Sequence, residues 1–340
     1  MKLNPELERT EKRHVMQTRI IGLRVAMAAI VIAASTTGAL AQTPDNTVNN
    51  QQGNWAETRA RMNADIRSVT QDVTMTAAGI GNSFSATLGG KSTVNNNQTT
   101  TAPVSAALNV NAQNAFGALT ATAAAIGNSA SVTIDETQGV SANNLGSLVN
   151  NGQMLRTTVT ADATLTGGNI STGNPDLGIA GTAAAIGNSF SADVNGDLVG
   201  NNTQRFFGDA RSNLNVNMTD VVGNSTFTSA AIANSATYNV TGSNSVNINS
   251  TQFANWDPSA TSNITLRDIT GDLTSTTAAI SNSLSVSTLP ASGRVNVNSN
   301  QQNGAGTYAT SNINLGDVTG SVTGTAAAIG NSVSISNLPN

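Results

Sequence analysis

The chain contains no cysteine, and its only histidine, His14, lies close to the N-terminus. A Ser-His-Asp or Cys-His arrangement for nucleophilic catalysis therefore cannot be assembled in the rest of the chain. The commonest transition-metal ligands are missing for the same reason. A pair of carboxylates could still hydrolyse glycosides, but pairing cannot be read from a sequence. We therefore predict a protein that is not an enzyme and that has no cofactor and no metal site.

Charge and aromatic side chains are also scarce, at 10% and 3% of the residues. From Gln42 onward there are nine basic and 16 acidic residues, which gives a net charge of −7. No basic patch is visible that could hold nucleic acid, so no nucleic-acid partner is predicted. Asn, Ser, Thr, Ala and Gly dominate instead. Such low-charge chains with alternating β-branched residues favour stacked β-structure.

Long apolar runs are absent except for Val25–Ala34, which has ten residues. That is too short for a membrane span, which needs about 20. Arginines precede this run, and Ala39–Ala41 has the small-x-small pattern of a signal-peptidase site. We expect residues 1–41 to be a secretory signal that is cleaved after Ala41. Acidic residues ahead of the apolar run are unusual for a signal, so translation starting at Met16 is the alternative.

Two short sequence motifs, which we call the first and second phrases, each occur six times, and the distances between them follow a regular pattern. The first ends in a glutamine: Gln51, Gln98, Gln153, Gln204, Gln252 and Gln301. The second contains an isoleucine within a phrase such as Ala-Ala-Ile-Gly-Asn-Ser: Ile80, Ile126, Ile186, Ile232, Ile280 and Ile329.

The distance from the glutamine to the isoleucine is identical in four units, as from Gln98 to Ile126. It is one position longer in the first unit and longest in the third, where the excess falls in the stretch Gly167–Gly178. The distance from the isoleucine to the next glutamine is variable, being much shorter from Ile80 to Gln98 than from Ile126 to Gln153. The constant part indicates ordered structure, and the variable part indicates surface loops, where insertions cost little.

Apolar residues within the repeats alternate with polar ones, as in Asn331–Ile335 and Val295–Val297. This period of two is typical of strands with one buried face. Segments bounded by Gly, Asn and Asp predict several short strands per unit, each of about 4–8 residues. We predict an all-β fold, a β-solenoid (β-helix) of six repeats of about 46–60 residues, each forming one or two coils. The predicted units of the repeat domain, 42–340, are 47–88, 94–134, 149–194, 200–240, 246–288 and 295–338.

An Asn-Ser pair follows the isoleucine in every unit. The asparagines are Asn82, Asn128, Asn188, Asn234, Asn282 and Asn331, and the serines are Ser83, Ser129, Ser189, Ser235, Ser283 and Ser332. Asn suits a turn or corner, and stacked copies could form an amide ladder. We interpret the pairs as a structural ladder, with ligand binding as the alternative. Twelve residues before each isoleucine lies a turn-forming residue, which we do not interpret as catalytic: Ser68, Asn114, Asn174, Asp220, Asp268 or Asp317.

Trp55 and Trp256 each lie four residues after a repeat glutamine, in the variable part of the unit. An exposed indole beside an asparagine is a candidate platform for stacking a sugar, so both residues are predicted glycan contacts. Packing of the loop onto the solenoid is the alternative.

Neither end of the repeat region shows a polar cap, which solenoids ordinarily need. The first phrase begins at Val48 and the last Asn-Ser phrase finishes at Ile335. Strand edges left unpaired at the two ends would template further pairing. We therefore expect like subunits to join end to end into a fibre or a very stable aggregate.

The Asn/Gln/Ser-rich repeats after a signal resemble curlin-type secreted amyloid subunits in style, although no unit follows the curlin spacing. The Ala-Ala-Ile-Gly-Asn-Ser units are more similar to holdfast-anchoring surface proteins of stalked alphaproteobacteria. This resemblance covers the repeat region and transfers no functional residue. It implies export through a curli-like outer-membrane channel to the cell surface or outer membrane, at a cell pole. The implied partners are a polysaccharide adhesin and other anchor proteins.

The resemblance implies a structural protein that attaches an adhesive polysaccharide, the holdfast, to the envelope. Two alternatives stay open. One is a β-helical polysaccharide-degrading enzyme, which would need acids or arginines on one face of successive coils. The other is a component of a phage or surface-layer fibre.

Overall fold

The protein is a stack of six coils, each made of three strands. The structure, a computed structural model, describes residues 46–136, 146–171, 178–243, 245–289 and 294–337. The predicted signal lies outside these residues. The 18 strands of the described residues form three six-stranded sheets, which we call A, B and C. Each coil contributes one strand to each sheet, in the order A, B, C along the chain.

Sheet A comprises β1 (Asn46–Asn54), β4 (Ser92–Thr100), β7 (Ser147–Leu155), β10 (Leu198–Phe206), β13 (Ser245–Ala254) and β16 (Arg294–Asn303). Sheet B comprises β2 (Thr58–Arg67), β5 (Val104–Ala115), β8 (Val159–Ser171), β11 (Ala210–Val222), β14 (Ser259–Thr270) and β17 (Tyr308–Thr319). Sheet C comprises β3 (Val73–Gly89), β6 (Leu119–Asp135), β9 (Ile179–Asn195), β12 (Ser225–Thr241), β15 (Leu273–Leu289) and β18 (Val322–Asn337).

All strand pairs are parallel, and equivalent residues of the repeats stack on one another. Ile80 pairs with Ile126, and Ile126 with Ile186. The predicted all-β solenoid of six repeats is therefore confirmed, with one coil for each repeat. In the first unit the stacking residue is Gln52, which pairs with Gln98, so the choice of Gln51 was wrong by one position. With Gln52 the first unit has the same spacing as the other regular units.

The strands are longer than predicted, from 9 residues in β1 to 17 residues in β3. The sheet C strands are long because they bend without ending. In β6 the inward side chains alternate from Leu119 to Ala125, then Gly127 and Asn128 are both buried, and the alternation resumes at Ala130. Because of this shift by one residue, the inward side chains of the second half of the strand face a different sheet from those of the first half.

The bend divides the interior into two apolar clusters. The first half of each sheet C strand shares one cluster with sheet B, to which Ala123, Val159 and Leu165 all belong. The second half shares the other cluster with the first residues of sheet A, to which Val132 and Val94 both belong. Alanine is the commonest residue of the first cluster, and valine is the commonest of the second.

Residues with a left-handed backbone mark the end of each sheet B strand: Ser68, Asn114, Asn169, Asp220, Asp268 and Asp317, with φ of 52° to 55°. Five of these six positions are the predicted turn residues, which is confirmed for them. In the third unit Asn169 takes this conformation, and the predicted Asn174 lies outside the described residues. The extra residues of that unit fall between Ser171 and Ile179, inside the predicted stretch.

Candidate functional site

The asparagines of the six Asn-Ser pairs form one column inside the solenoid. Each amide Nδ2 donates a hydrogen bond to the Oδ1 of the asparagine in the next coil, from Asn82 through to Asn331, over 2.8–2.9 Å. Asn128, Asn188, Asn234 and Asn282 are fully buried. The second hydrogen of each donor bonds a backbone oxygen of sheet A, such as Met154 O at 3.1 Å. The column lies at the bend of sheet C, between the two apolar clusters.

A glutamine column runs beside it on sheet A. The residues are Gln52, Gln98, Gln153, Gln204, Gln252 and Gln301. From Gln98 onward, each Nε2 donates to the glutamine Oε1 of the preceding coil over 2.7–2.9 Å. The same nitrogen donates to the backbone oxygen of the serine in the Asn-Ser pair, as Gln98 does to Ser129 O at 2.9 Å. We call the asparagine and glutamine columns together the polar seam.

The serines of the pairs lie in register on sheet C but do not enter the polar seam with their side chains. Their contribution is the carbonyl oxygen that accepts from the glutamine, from Ser83 O at 2.8 Å to Ser332 O at 2.9 Å. The side chains of all six are half-buried or exposed. In each pair the asparagine therefore bonds within the seam through its side-chain amide, and the serine through its backbone carbonyl oxygen.

The two columns run in opposite directions. Asparagine amides donate toward the C-terminal end of the solenoid, and glutamine amides donate toward the N-terminal end. An exposed asparagine column on sheet A, which includes Asn201 and Asn249, also donates toward the N-terminal end. Sequence reasoning missed the bonding of the glutamines and of this outer column. The constant distance from glutamine to isoleucine was the signal for the glutamine bonding. The signal for the outer column was the asparagine at the same place in every first phrase, which follows a valine in four units, Gly200 in the fourth and Ile248 in the fifth.

The seam consists of neutral amides, so it offers hydrogen bonds but neither proton transfer nor a nucleophile. Among the residues that the structure describes, no group of three His, Asp or Glu residues is placed to hold a metal ion. Burial raises the pKa of the Tyr238 phenol above its usual range, and this hydroxyl has no hydrogen-bond partner within the described chain. Desolvation favours the neutral phenol, so this group carries no charge at physiological pH. The hydrogen bonds of the seam join each coil to the next.

Each end of the described stack has three strands that pair on one side only. At the first coil these are β1, β2 and β3, and at the last coil they are β16, β17 and β18. Side chains that are buried in the middle coils are open to solvent in the last coil, including Val333 at 46% and Ile335 at 51% exposure. Stacking of one coil on another is what buries these positions elsewhere in the solenoid.

Trp55 and Trp256 both lie at the corner between sheets A and B, but the structure does not bring them together. They belong to the first and fifth coils, which are about 19 Å apart at about 4.8 Å per strand. Trp55 is 75% exposed, and its ring also covers Gly53, where a Cβ would have no room. Trp256 is 54% exposed.

Trp256 belongs to a group of aromatic and basic side chains on three consecutive coils. We call this group the aromatic corner and define it as Met154, Arg156, Arg205, Phe207, Phe253 and Trp256. Arg205 pairs in register with Met154 on one side and Phe253 on the other. Phe207 stacks above Arg156, since its backbone nitrogen donates to Leu155 O over 2.7 Å. The rings of Phe207 and Phe253 lie 5.5 Å apart at an angle of 51°.

Comparison with known proteins identifies the family. The family model for Holdfast attachment protein D matches residues 137–338, which is more than half of the chain and includes coils three to six. The chain therefore belongs to the holdfast attachment protein D family. No curated protein and no solved structure matches. Among the described residues, no helix is long and apolar enough to cross a membrane. Family membership indicates a holdfast attachment protein that is exported or lies at the cell surface, and it suggests a structural role without catalysis.

Proposed function

We propose that this protein anchors the holdfast polysaccharide to the cell envelope as a stack of copies joined end to end, in an amyloid-like manner. It would be exported through an outer-membrane channel and act at the outer membrane of the cell pole. The observation that carries the proposal is the pair of open edges in the described stack. At each end three parallel strands pair on one side only within the described residues, and another copy could extend them on the other side.

The apolar side chains of the two ends are matched for such a junction. If the last coil of one copy stacked under the first coil of another as neighbouring coils do, Val333 would lie at the register position next to Phe84 and Ile335 next to Ala86. Both members of each pair are apolar, so the junction would remove apolar surface from water.

The amide columns favour one polarity for the junction. At the last coil Asn331 offers its Nδ2 as a donor and Gln301 offers its Oε1 as an acceptor, because their other groups bond the coil before. At the first coil Asn82 offers its Oδ1 as an acceptor and Gln52 offers an Nε2 hydrogen as a donor. A head-to-tail junction pairs donors with acceptors in both columns. A head-to-head junction would place donor against donor and acceptor against acceptor.

A stack built this way would resist extraction. Every junction would add three parallel strand pairs and continue the buried amide columns, so removal of one copy would break many hydrogen bonds at once. Repeated identical surfaces along the stack would hold a polymeric ligand through many weak contacts, whose combined strength exceeds that of each.

Engineered cysteines test the junction cleanly, because the chain has none of its own. Asn49 and Asn298 occupy the same outward column at the first and last coils. In a head-to-tail junction they would lie on neighbouring parallel strands, about 4.8 Å apart, which is within disulfide range. We expect the double variant Asn49→Cys with Asn298→Cys to give a ladder of disulfide-linked multimers on a non-reducing gel.

The single variants and a central position serve as controls. Neither Asn49→Cys alone nor Asn298→Cys alone should give a dimer, whereas a junction of two first coils could link the former and a junction of two last coils the latter. Asn201→Cys lies on the same column in the middle of the stack and should not link copies. A double variant that stays monomeric under oxidising conditions, in a preparation that assembles, would contradict the proposed junction.

Anchoring itself is tested by deleting the gene. We expect mutant cells that leave adhesive polysaccharide in the medium and fail to stay attached to a surface. Unchanged attachment, with the polysaccharide retained on the cells, would refute the anchoring role.

A further inference from the structure

The aromatic corner differs in chemistry from the rest of the solenoid surface. Aromatic residues make up 3% of the chain, yet three of them lie within this one group on three consecutive coils. Trp256 is more than half exposed, and Phe207 and Phe253 are half-buried. The neighbouring outward columns of sheet A carry mainly Asn and Thr. Rings that stay accessible to solvent beside a polar surface are typical of binding sites.

The two arginines of the corner have charges that nothing in the described chain neutralises. Arg156 and Arg205 are exposed and form no salt bridge with any residue of the described ranges. The next arginine along the chain, Arg211, is by contrast paired with Asp209 at 2.6 Å. Asp257 follows Trp256 and is the acidic residue closest to the group in sequence. The corner therefore carries a local positive charge on a chain whose net charge is −4.

The rings and guanidinium groups alternate in a way that suits a polymer lying along the stack. Going up one column the order is Met154, Arg205, Phe253, and in the adjacent column Arg156 precedes Phe207. Each arginine thus has an aromatic neighbour one coil further on, about 4.8 Å away along the axis. A ligand that spans several coils would meet flat apolar faces and positive charges in turn.

We propose that the aromatic corner binds an acidic polysaccharide. Aromatic rings pack against the apolar faces of sugar rings, and guanidinium groups bind carboxylates through two parallel hydrogen bonds. A neutral glycan would leave the arginines without a partner. Nucleic acid fits poorly, because the two arginines of the corner are too few for the many phosphate contacts that it needs. The inference rests on the proposed function only in equating this ligand with the anchored polymer.

Binding of a uronic-acid polymer tests the inference. The protein recovered from the cell surface would be titrated with polygalacturonate, with neutral dextran as the comparison, and binding followed by co-sedimentation and by tryptophan fluorescence. We expect polygalacturonate to bind and dextran to bind at least about tenfold more weakly. Arg156→Gln with Arg205→Gln should weaken polygalacturonate binding by at least about tenfold, as should Trp256→Ala, which corresponds to losing about 1.4 kcal/mol or more.

Two matched variants lie outside the corner and should bind like the natural protein. Arg267→Gln removes an exposed arginine from sheet B, and Phe116→Ala removes an aromatic ring of the second coil that is 52% exposed. If these controls weaken binding as much as the corner variants, or if the corner variants bind normally, the inference is wrong. Equal affinity for dextran and polygalacturonate would also refute an acidic ligand.

Failure of this inference can be told from failure of the proposed function. If the corner variants keep normal polygalacturonate binding while the deletion mutant sheds its holdfast, anchoring stands and the corner is not the site. If the corner variants lose binding while the deletion mutant attaches normally, the site stands and the anchoring role is refuted. Disulfide ladders from the paired cysteines, combined with the arginine substitutions, would show that the corner variants still fold and stack.

Discussion

Replacement of Asn188 by alanine should destabilise the middle of the solenoid far more than the small number of removed side-chain atoms implies. Asn188 is fully buried, accepts from Asn128 Nδ2 at 2.8 Å, and donates to Asn234 Oδ1 at 2.8 Å and to Arg205 O at 3.1 Å. Alanine would remove one hydrogen-bond partner from each of three polar groups, namely Asn128 Nδ2, Asn234 Oδ1 and Arg205 O. A buried group that loses its hydrogen bond costs about 1–3 kcal/mol. Because the surrounding strands can relax in part, we expect a loss of about 3 kcal/mol.

The matched control is Asn249→Ala in the outer column. Asn249 also belongs to a continuous amide column, donating to Asn201 at 3.2 Å and accepting from Asn298 at 2.9 Å, but it is exposed. Water can replace these bonds, so the free energy of unfolding should change by no more than about 0.5 kcal/mol. The comparison therefore separates the effect of burial from the effect of forming a ladder.

Amide hydrogen exchange resolved by strand is the appropriate assay, because a stack of repeats can open locally without unfolding as a whole. Asn188→Ala should speed exchange in β9 and β12 by about a hundredfold, the equivalent of about 3 kcal/mol, and should leave β1 and β2 unchanged. Equal protection in Asn188→Ala and Asn249→Ala would refute the reasoning that burial makes the loss of these amide hydrogen bonds costly.

Three further substitutions follow from the packing. Gly187→Ala should cost about 1–3 kcal/mol in thermal unfolding because its Cβ would overlap the ring of Phe206, and Phe206→Ala should reduce that penalty in the double variant. Asp220→Val should cost about 1–2 kcal/mol because φ is 52°, whereas Asp220→Gly should be tolerated, as chemical denaturation would show. Tyr238→Phe should raise the unfolding temperature, since the deleted hydroxyl is buried without a described partner; a lower temperature would indicate a partner for that hydroxyl.

The period of the solenoid could be predicted from the sequence because parallel, in-register pairing requires equivalent residues to stack. A constant distance from glutamine to isoleucine is the direct result, and insertions can occur only where the chain leaves the sheets, as between Ser171 and Ile179. In the first unit the same rule favours Gln52 over the adjacent Gln51, because only Gln52 lies at the constant distance from Ile80. The pairing of Gln52 with Gln98 confirms it.

The bend in sheet C could not be predicted because its local signal is ambiguous. Gly127-Asn128 reads as a turn that ends a strand, yet the backbone stays paired on both sides and only the inward alternation shifts. Ala233 and Ser281 occupy the glycine's position in later coils. Ala233 is accommodated because the residue stacked beyond it is Ala254, where the third and fourth coils have Leu155 and Phe206. This compensation is visible only once the coils are stacked.

The opposite directions of the two columns in the polar seam give each end of the stack its own pattern of open hydrogen-bonding groups. Within the described residues, the last coil leaves the Asn331 Nδ2 donor and the Gln301 Oε1 acceptor open, and the first coil leaves the Asn82 acceptor and a Gln52 donor open. Because the two columns lie at different positions, a first coil stacked on a last coil meets a complementary group in both. Each such junction would repeat the bonds found between neighbouring coils, so the seam favours the head-to-tail direction of growth.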